Sequence, residues 1–233
     1  MIISDFINEL NKIGINPTEK QLSDLEKYYE MLIEYNKVMN LTGITEKKQV
    51  YLKHFYDSLT IIKATNLNNY STLCDMGTGA GFPGMVVKIF FPNLKVTLID
   101  SLNKRINFLN KVISKLNLSN IEAIHARLEE YGRINRNLFD LVTSRAVASA
   151  SILLEYAAPL LKINGKFVCM KGNMENEPSY KNALSMLGMR EEKNIHFKLP
   201  IEDSNRTIII FNKMKETSKL FPRKYNDIIK KPL

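Results

Sequence analysis

From Ser71 onward, short apolar segments alternate with segments of helical periodicity. This alternation predicts a mostly parallel sheet with helices on both faces, because parallel strands need a crossover connection. The first five strands are predicted near 73–76, 96–100, 121–125, 141–144 and 166–171, and the helices near 84–91, 103–117, 149–162 and 177–188. The last two strands, near 192–197 and 207–211, are joined by a loop too short for a crossover helix, so we expect an antiparallel hairpin.

The first 65 residues have a helical pattern instead. Thr18 and Gln21 have the spacing of a capping box at the start of the second helix, and a third helix is predicted over 46–64. We therefore expect a helical subdomain over 1–65, an α/β domain over 66–213 and a basic tail over 214–233.

The chain carries 33 basic and 24 acidic residues, a net charge of +9. Seven basic and two acidic residues lie within 213–233. A basic balance points to an acidic partner, most commonly nucleic acid. The tail reads either as a solvated end or as a docked segment, and the interleaved Phe221, Pro222 and Tyr225 favour docking.

The two cysteines, Cys74 and Cys169, lie in apolar segments and are predicted to be buried thiols. No metal site is expected. No segment approaches the ~20 apolar residues of a membrane helix, and the first residues do not resemble a signal peptide. We therefore expect a cytoplasmic protein that does not contact membranes, with a monomer as the default.

A glycine-rich segment, 75–84, lies between the first predicted strand and its helix. Gly79, Gly81 and Gly84 have the spacing of the dinucleotide fingerprint, which predicts a nicotinamide-dependent oxidoreductase. Asp75, Gly77, Gly79 and Gly81 equally match the loop of S-adenosylmethionine-dependent methyltransferases. Both kinds of site use an acidic residue after the second strand to bind ribose, here Asp100.

The position of Asp75 favours the methyltransferase interpretation. A carboxylate directly before the first glycine would repel a pyrophosphate, whereas it suits the cationic amino group and sulfonium of S-adenosylmethionine. The predicted closing hairpin also favours this class. The oxidoreductase remains the alternative.

Three motifs extend the comparison: DMGTGAGFPG at 75–84, IDSLNKRINFL at 99–109 and FDLVTSRAVA at 139–148. With them the chain resembles the ribosomal RNA small-subunit methyltransferase G family over nearly its whole length. The resemblance implies a class I fold, with a Rossmann-like, mostly parallel seven-stranded sheet, a closing antiparallel hairpin and a small N-terminal helical subdomain. It also implies methyl transfer from S-adenosylmethionine to N7 of one guanine, the family's position 527, in bacterial 16S ribosomal RNA. The partner is then that RNA or the small ribosomal subunit.

The resemblance also implies cofactor contacts beyond Asp75 and Gly79. They fall on Gly77, Phe82, Asp100, Leu128, Glu129 and Arg145. The family usually has Ala where this chain has Leu128, so a contact there is expected through the backbone. Glu129 could instead be a solvated helix cap, and Arg145 could form a buried ion pair with Asp140 or Glu155.

Guanine N7 is a nucleophile that carries no proton, so the reaction needs alignment and exclusion of water rather than a general base. Arg145 and Lys171, each at the end of a predicted strand, are the candidates for catalysis. The alternatives for the N-terminal positions are structural, with Asn40 ending a helix and His54 bonded to Asp57 or Ser58. The candidate RNA contacts are Asn36, Asn40, His54, Arg223, Lys224 and Lys230.

Overall fold

The computed structural model describes residues 1–145, 148–172, 174 and 177–233. Ala146 and Val147, in the third motif, lie outside the described residues. A seven-stranded sheet has the order β3-β2-β1-β4-β5-β7-β6. The strands are β1 (Thr72–Met76), β2 (Lys95–Asp100), β3 (Ile121–His125), β4 (Phe139–Arg145), β5 (Leu161–Lys171), β6 (Met189–Lys198) and β7 (Asn205–Lys213).

The direction of the strands confirms the predicted fold class. β1 to β5 are parallel to their neighbours, whereas β7 is antiparallel to both β5 and β6. The hairpin therefore closes the sheet with β7 inside and β6 at the edge. The carboxyl ends of the parallel strands bring Met76, Asp100, Arg145 and Lys171 to one edge of the sheet, where ligands bind in open α/β folds.

Helices cover both faces of the sheet. They are α5 (Gly84–Phe90), α6 (Asn103–Lys115), α7 (Leu128–Ile134), α8 (Ala150–Leu160), α9 (Lys181–Leu187) and α10 (Tyr225–Lys230). Four of them were predicted from periodicity. The short helices α7 and α10 were not.

The N-terminal helices begin with α1 (Ile3–Lys12) and α2 (Glu19–Met39). The predicted capping box is confirmed, because Thr18 and Gln21 exchange side-chain and backbone hydrogen bonds at 3.2 and 2.9 Å. The third predicted helix is a continuous but irregular segment. It contains α3 (Lys47–Val50), a π-helical turn (Tyr51–Tyr56), α4 (Asp57–Leu59) and a 3₁₀ turn (Thr60–Lys63).

The hydrophobic core has one part on each face of the sheet. On one face the N-terminal helices, through residues such as Phe6 and Leu25, share a core with α5, α6 and Leu98 of β2. On the other face α8 and α9 pack with the tail, which contributes Phe221 and Ile228. The N-terminal helices are thus packed against the sheet, while the boundaries at 65 and 213 stay a prediction.

Cys74 and Cys169 are buried, as predicted. Burial raises the pKa of both thiols. None of the described helices is long and apolar enough to cross a membrane.

Candidate active site

The glycine-rich loop leaves β1 in a tight turn. Gly79 has a φ of +61°, and the position of a β-carbon on it would meet no other atom within 4 Å. Gly81 has a φ of +105°, and a β-carbon there would lie 2.5 Å from the Tyr28 hydroxyl and 2.9 Å from Leu109. Positive φ disfavours side chains at both positions, and at Gly81 the neighbouring side chains leave no space for one.

The buried Asp75 side chain stabilises this loop by hydrogen bonds. Its Oδ2 accepts a hydrogen bond from the backbone N–H of Gly84 at 2.8 Å and another from the Thr78 hydroxyl at 2.7 Å. The side chain is fully buried, and burial raises its pKa to about 6 against the opposing effect of these two donors. This location corrects the sequence argument, because the carboxylate is directed to the loop's own donors and does not line the cavity beside it.

Asp100 lies on the opposite side of the loop, at the end of β2. Its Oδ2 accepts a hydrogen bond from the backbone N–H of Gly79 at 2.9 Å, and its Oδ1 accepts one from Leu102 at the same distance. Arg105 approaches the carboxylate to 3.2 Å. Asp100 is nearly buried but lines the cavity, so a carboxylate is fixed where the loop and the second strand meet.

A cavity of about 510 Å³ occupies this edge of the sheet. Its volume is in the range of small-molecule and cofactor sites. Seven predicted cofactor residues line it: Gly77, Gly79, Phe82, Asp100, Leu128, Glu129 and Arg145. Glu129 is buried at the start of α7, which argues against the solvated helix cap.

Four apolar or aromatic residues in the cavity wall were missed by the sequence analysis. They are Ile152 and Tyr156 of α8 and Tyr225 and Ile229 of α10. Their spacing of four residues on each helix was a usable signal, since such pairs share a helix face. It could not show which face meets the cavity.

Arg145 lies at the end of β4 and is only 13% exposed in its side chain. Its guanidinium carbon lies 5.2 Å from the centroid of the Phe82 ring. Its ion-pair partner is Asp57, at 3.5 Å, and not Asp140 or Glu155 as the sequence alternative had it. Those two carboxylates pair instead with Lys162 and Arg223.

His54 holds Arg145 from the side of the N-terminal helices. Nη2 of Arg145 lies 3.2 Å from Nδ1 of His54, and Nε2 of His54 lies 2.8 Å from the Thr42 hydroxyl. Because a guanidinium has donors only, this geometry assigns the ring proton to Nε2. Burial, reinforced by the Arg145 charge, lowers the pKa of His54 to about 3, so the ring is neutral. The predicted side-chain bond to Asp57 or Ser58 is wrong, although Ser58 does donate to the His54 carbonyl.

A second cavity, of about 290 Å³, adjoins the first. His54 and Arg145 line both cavities. Four cationic side chains and one carboxylate, Asp57, are among its lining residues; the cations are Lys53, Arg145, Lys171 and Arg206. Arg206 donates to both oxygens of Asp57 at 3.1 Å, so this carboxylate is shared between two guanidinium groups.

Lys171, at the end of β5, belongs to this second cavity. Its Nζ contacts the Ala148 carbonyl and lies 3.1 Å from Glu177. The side chain is 10% exposed. Lys171 and Arg145 therefore both line the smaller cavity, and their role in catalysis stays a prediction.

The N-terminal asparagines have structural partners. Asn36 accepts a hydrogen bond from the backbone N–H of Thr42 at 2.9 Å, and Asn40 ends α2 in the left-handed conformation, with a φ of 50°. These contacts match the helix-termination alternative. Through Thr42, Asn36 also positions His54, so its effect on the site passes through that side chain.

The basic tail is docked, and this changes one predicted RNA contact. Arg223 donates to both oxygens of Glu155, at 2.9 and 2.7 Å, so its guanidinium is not a free phosphate ligand. Lys224 and Lys230 are exposed.

Among the described residues, no group of three or more His, Cys, Asp or Glu side chains is arranged to hold a metal ion.

Comparison with known proteins assigns the chain to a protein family. The family model described as rRNA small subunit methyltransferase G matches residues 21–206. The chain belongs to the rRNA small subunit methyltransferase G family. It is similar to members from Bacillus subtilis, with 48% identity over 100% of this chain and 99% of the relative, and from Lysinibacillus sphaericus, with 47% identity over 94% of each.

As a member of the rRNA small subunit methyltransferase G family, the chain is a methyltransferase. Solved structures agree on the fold. A SAM-dependent methyltransferase from Aquifex aeolicus superposes with a TM-score of 0.52 and 17% identity, over 74% of this chain and 97% of that one. The YcgJ protein from Bacillus subtilis gives a TM-score of 0.55 and 13% identity, over 70% and 100%. The family assignment does not favour the oxidoreductase alternative.

Proposed function

We propose that this enzyme transfers a methyl group from S-adenosylmethionine to N7 of a guanine in bacterial 16S ribosomal RNA, the family's position 527. The observation that carries the proposal is the adjacency of the two cavities across His54 and Arg145. A donor in the larger cavity and an acceptor base in the smaller one would meet at these two side chains.

The larger cavity fits the proposed cofactor. The open space beside Gly79 allows a ligand to approach the backbone closely, and Asp100 offers carboxylate oxygens for ribose hydroxyls. The aromatic and aliphatic walls suit a purine ring. Gly77, Gly79, Phe82, Asp100, Leu128, Glu129 and Arg145 would hold the cofactor, which supplies a methyl group on a positively charged sulfur.

The smaller cavity suits guanine because that base presents two acceptors, O6 and N7, on one edge. Lys53, Lys171 and the two guanidinium groups supply donors around it. A side chain that donates a hydrogen bond to O6 orients the base. N7 carries no proton, so no side chain has to remove one. The neutral His54 fits this scheme as a positioning residue for Arg145.

For the RNA itself we propose Lys224 and Lys230 as phosphate contacts, with Asn36, Asn40 and His54 shaping the approach to the site. We further propose that the enzyme works in the cytoplasm, where its ribosomal substrate is made, and as a monomer. Phosphate contacts should make RNA binding fall steeply with salt, whereas cofactor binding should not.

The test is incubation with S-adenosylmethionine carrying a tritiated methyl group and small ribosomal subunits from cells that lack the modification. We expect label at N7 of one guanine. Label in another base or another position of guanine, or no label at all, would overturn the proposal. Lys171→Gln tests the acceptor cavity, because it should lower the rate of transfer while the affinity for S-adenosylhomocysteine stays near that of the wild type.

A further inference from the structure

Residues 217–233, here called the C-terminal strap, are packed on the face of the sheet that α8 and α9 cover. Phe221 and Ile228 are buried in its core. Arg136 donates to the carbonyls of Thr217 and Phe221 at 2.5 and 2.7 Å. The strap is therefore a packed segment and not a frayed end.

Glu155 of α8 is the main polar anchor of the strap. Its carboxylate is fully buried and accepts three hydrogen bonds from Arg223: from the backbone N–H at 2.8 Å, from Nε at 2.9 Å and from Nη2 at 2.7 Å. A buried carboxylate is costly without a cation, so this pair keeps the strap in place.

Beyond the anchor, the strap reaches the larger cavity. Tyr225 and Ile229 line it, although the two residues are 45% and 43% exposed. The Tyr225 ring lies 5.4 Å from the guanidinium carbon of Arg127, which precedes α7. An aromatic and an aliphatic side chain thus form the outer wall beside Arg127 and Leu128.

Lysines flank these two wall residues directly in the sequence. Lys224 precedes Tyr225, and Lys230 and Lys231 follow Ile229; all three are exposed. Any phosphate that binds these lysines therefore restrains the short helix that forms the cavity wall.

We propose that the C-terminal strap is shared by two binding sites, with Tyr225 and Ile229 contacting the cofactor and the adjacent lysines contacting RNA phosphates, so that each ligand tightens binding of the other. The inference rests on the proposed function for the identity of both ligands. Coupling of this kind is reciprocal, because both ligands stabilise the same position of the strap.

The cofactor half is tested without RNA, by equilibrium dialysis of labelled S-adenosylhomocysteine against the full chain. Tyr225→Ala should weaken binding by about fivefold or more, the effect of losing one base–aromatic contact, and Tyr225→Phe should bind like the wild type. Unchanged binding by Tyr225→Ala would overturn the strap proposal alone. A wild-type chain that binds no S-adenosylhomocysteine would overturn the proposed function as well.

To test whether RNA tightens cofactor binding, the dialysis is repeated with saturating unmodified small ribosomal subunits. Wild type should bind S-adenosylhomocysteine about fivefold or more tightly than without subunits. The Lys224→Gln, Lys230→Gln double variant should keep the affinity without subunits and lose this gain. The matched control is Lys95→Gln with Lys115→Gln, which removes the same charge at two exposed positions outside the strap, the start of β2 and the end of α6. This control should keep the increase in affinity.

Thermal unfolding of all variants verifies that each is folded. If both double variants lose the increase in affinity for S-adenosylhomocysteine, the proposal is overturned, because the loss of net charge alone would then explain the result. If both keep the increase, the proposal is equally overturned.

Discussion

The guanidinium carbon of Arg145 lies 5.2 Å from the centre of the Phe82 ring, on which His54 also stacks at 4.4 Å between ring centroids. This contact joins the glycine-rich loop, the end of β4 and the N-terminal helices at one point. Asp57 balances the charge of Arg145 from the other side. The guanidinium of Arg145 is therefore held by the Phe82 ring, by Nδ1 of His54 and by the Asp57 carboxylate.

Arg145→Lys should lower methyl transfer by about 100-fold, as removal of one positioned donor does in other active sites. Lysine keeps the charge but loses the planar fork that contacts Phe82, His54 and Asp57 together. The measurement is single-turnover transfer to unmodified small ribosomal subunits. Arg190→Lys, at an exposed position of β6, is the control and should react like the wild type. Transfer by Arg145→Lys at the wild-type rate would contradict this role.

Gly81→Ala should destabilise the fold by roughly 1–3 kcal/mol, the usual cost of overpacking. The new methyl group would lie 2.5 Å from the Tyr28 hydroxyl in a backbone conformation that disfavours side chains. Gly79→Ala shares the positive φ but meets open space, so it should cost less stability and affect S-adenosylhomocysteine binding more. Urea unfolding and equilibrium dialysis compare the two. Equal losses of stability would show that packing at Gly81 is unimportant.

Asp75→Asn should change how stability depends on pH. Since burial raises the folded pKa of Asp75 to about 6, the folded state binds the extra proton between about pH 4 and 6, and wild-type stability falls as pH rises through this window. Asparagine has no such titration. The free energy of unfolding of Asp75→Asn relative to wild type should therefore increase from about pH 4.5 to 7.5, by roughly 2 kcal/mol.

Asp140→Asn is the matched control for this titration. Hydrogen bonds from Lys162, Thr72 and Ser71 outweigh burial and lower the pKa of Asp140, so its stabilisation is present above the ordinary carboxyl pKa and lost as pH falls. Relative to wild type, this variant should lose stability as pH rises. The same sign of change in both variants would contradict the assignment of Asp75.

Glu155→Gln should loosen the C-terminal strap. The amide oxygen can keep the hydrogen bonds from the backbone N–H and Nε of Arg223, but the acceptor for Nη2 is lost. The guanidinium is also left without its counter-charge, at a cost of about 2–5 kcal/mol. Limited proteolysis should cleave the strap faster than in wild type, and urea unfolding should measure the loss. Glu192→Gln, which removes the partly exposed pair with Lys166 at 2.7 Å, should cost less than about 1 kcal/mol. Protease resistance equal to wild type would contradict the anchor role of Glu155.

Much of the fold could be predicted because its signals are local. Apolar runs of strand length, the glycine-rich segment and the Thr18 capping box are all set by neighbouring residues. The helices α7 and α10 have six or seven residues, about as many as the predicted α5 and α9. They were missed because the residues after β3 were considered only as cofactor contacts and the tail only as a basic segment.

The site was predictable only in part, because its partners are distant in the sequence. Arg145 pairs with Asp57, and Arg223 pairs with Glu155, 68 residues away. One sequence shows that each charge needs a partner but not which carboxylate supplies it. For Asp75, charge complementarity predicts a contact with the cofactor, whereas the carboxylate accepts hydrogen bonds from two donors of its own loop instead.

The Tyr28 hydroxyl donates a hydrogen bond to the Ala80 carbonyl and occupies the space beside Gly81. A helix near the start of the chain thus supports a loop that lies 52 residues further along the sequence. The first 65 residues are consequently not a transplantable module. A chimera joined near that point would keep its sheet but separate a hydroxyl from the loop it supports, unless both parents carry the same pair.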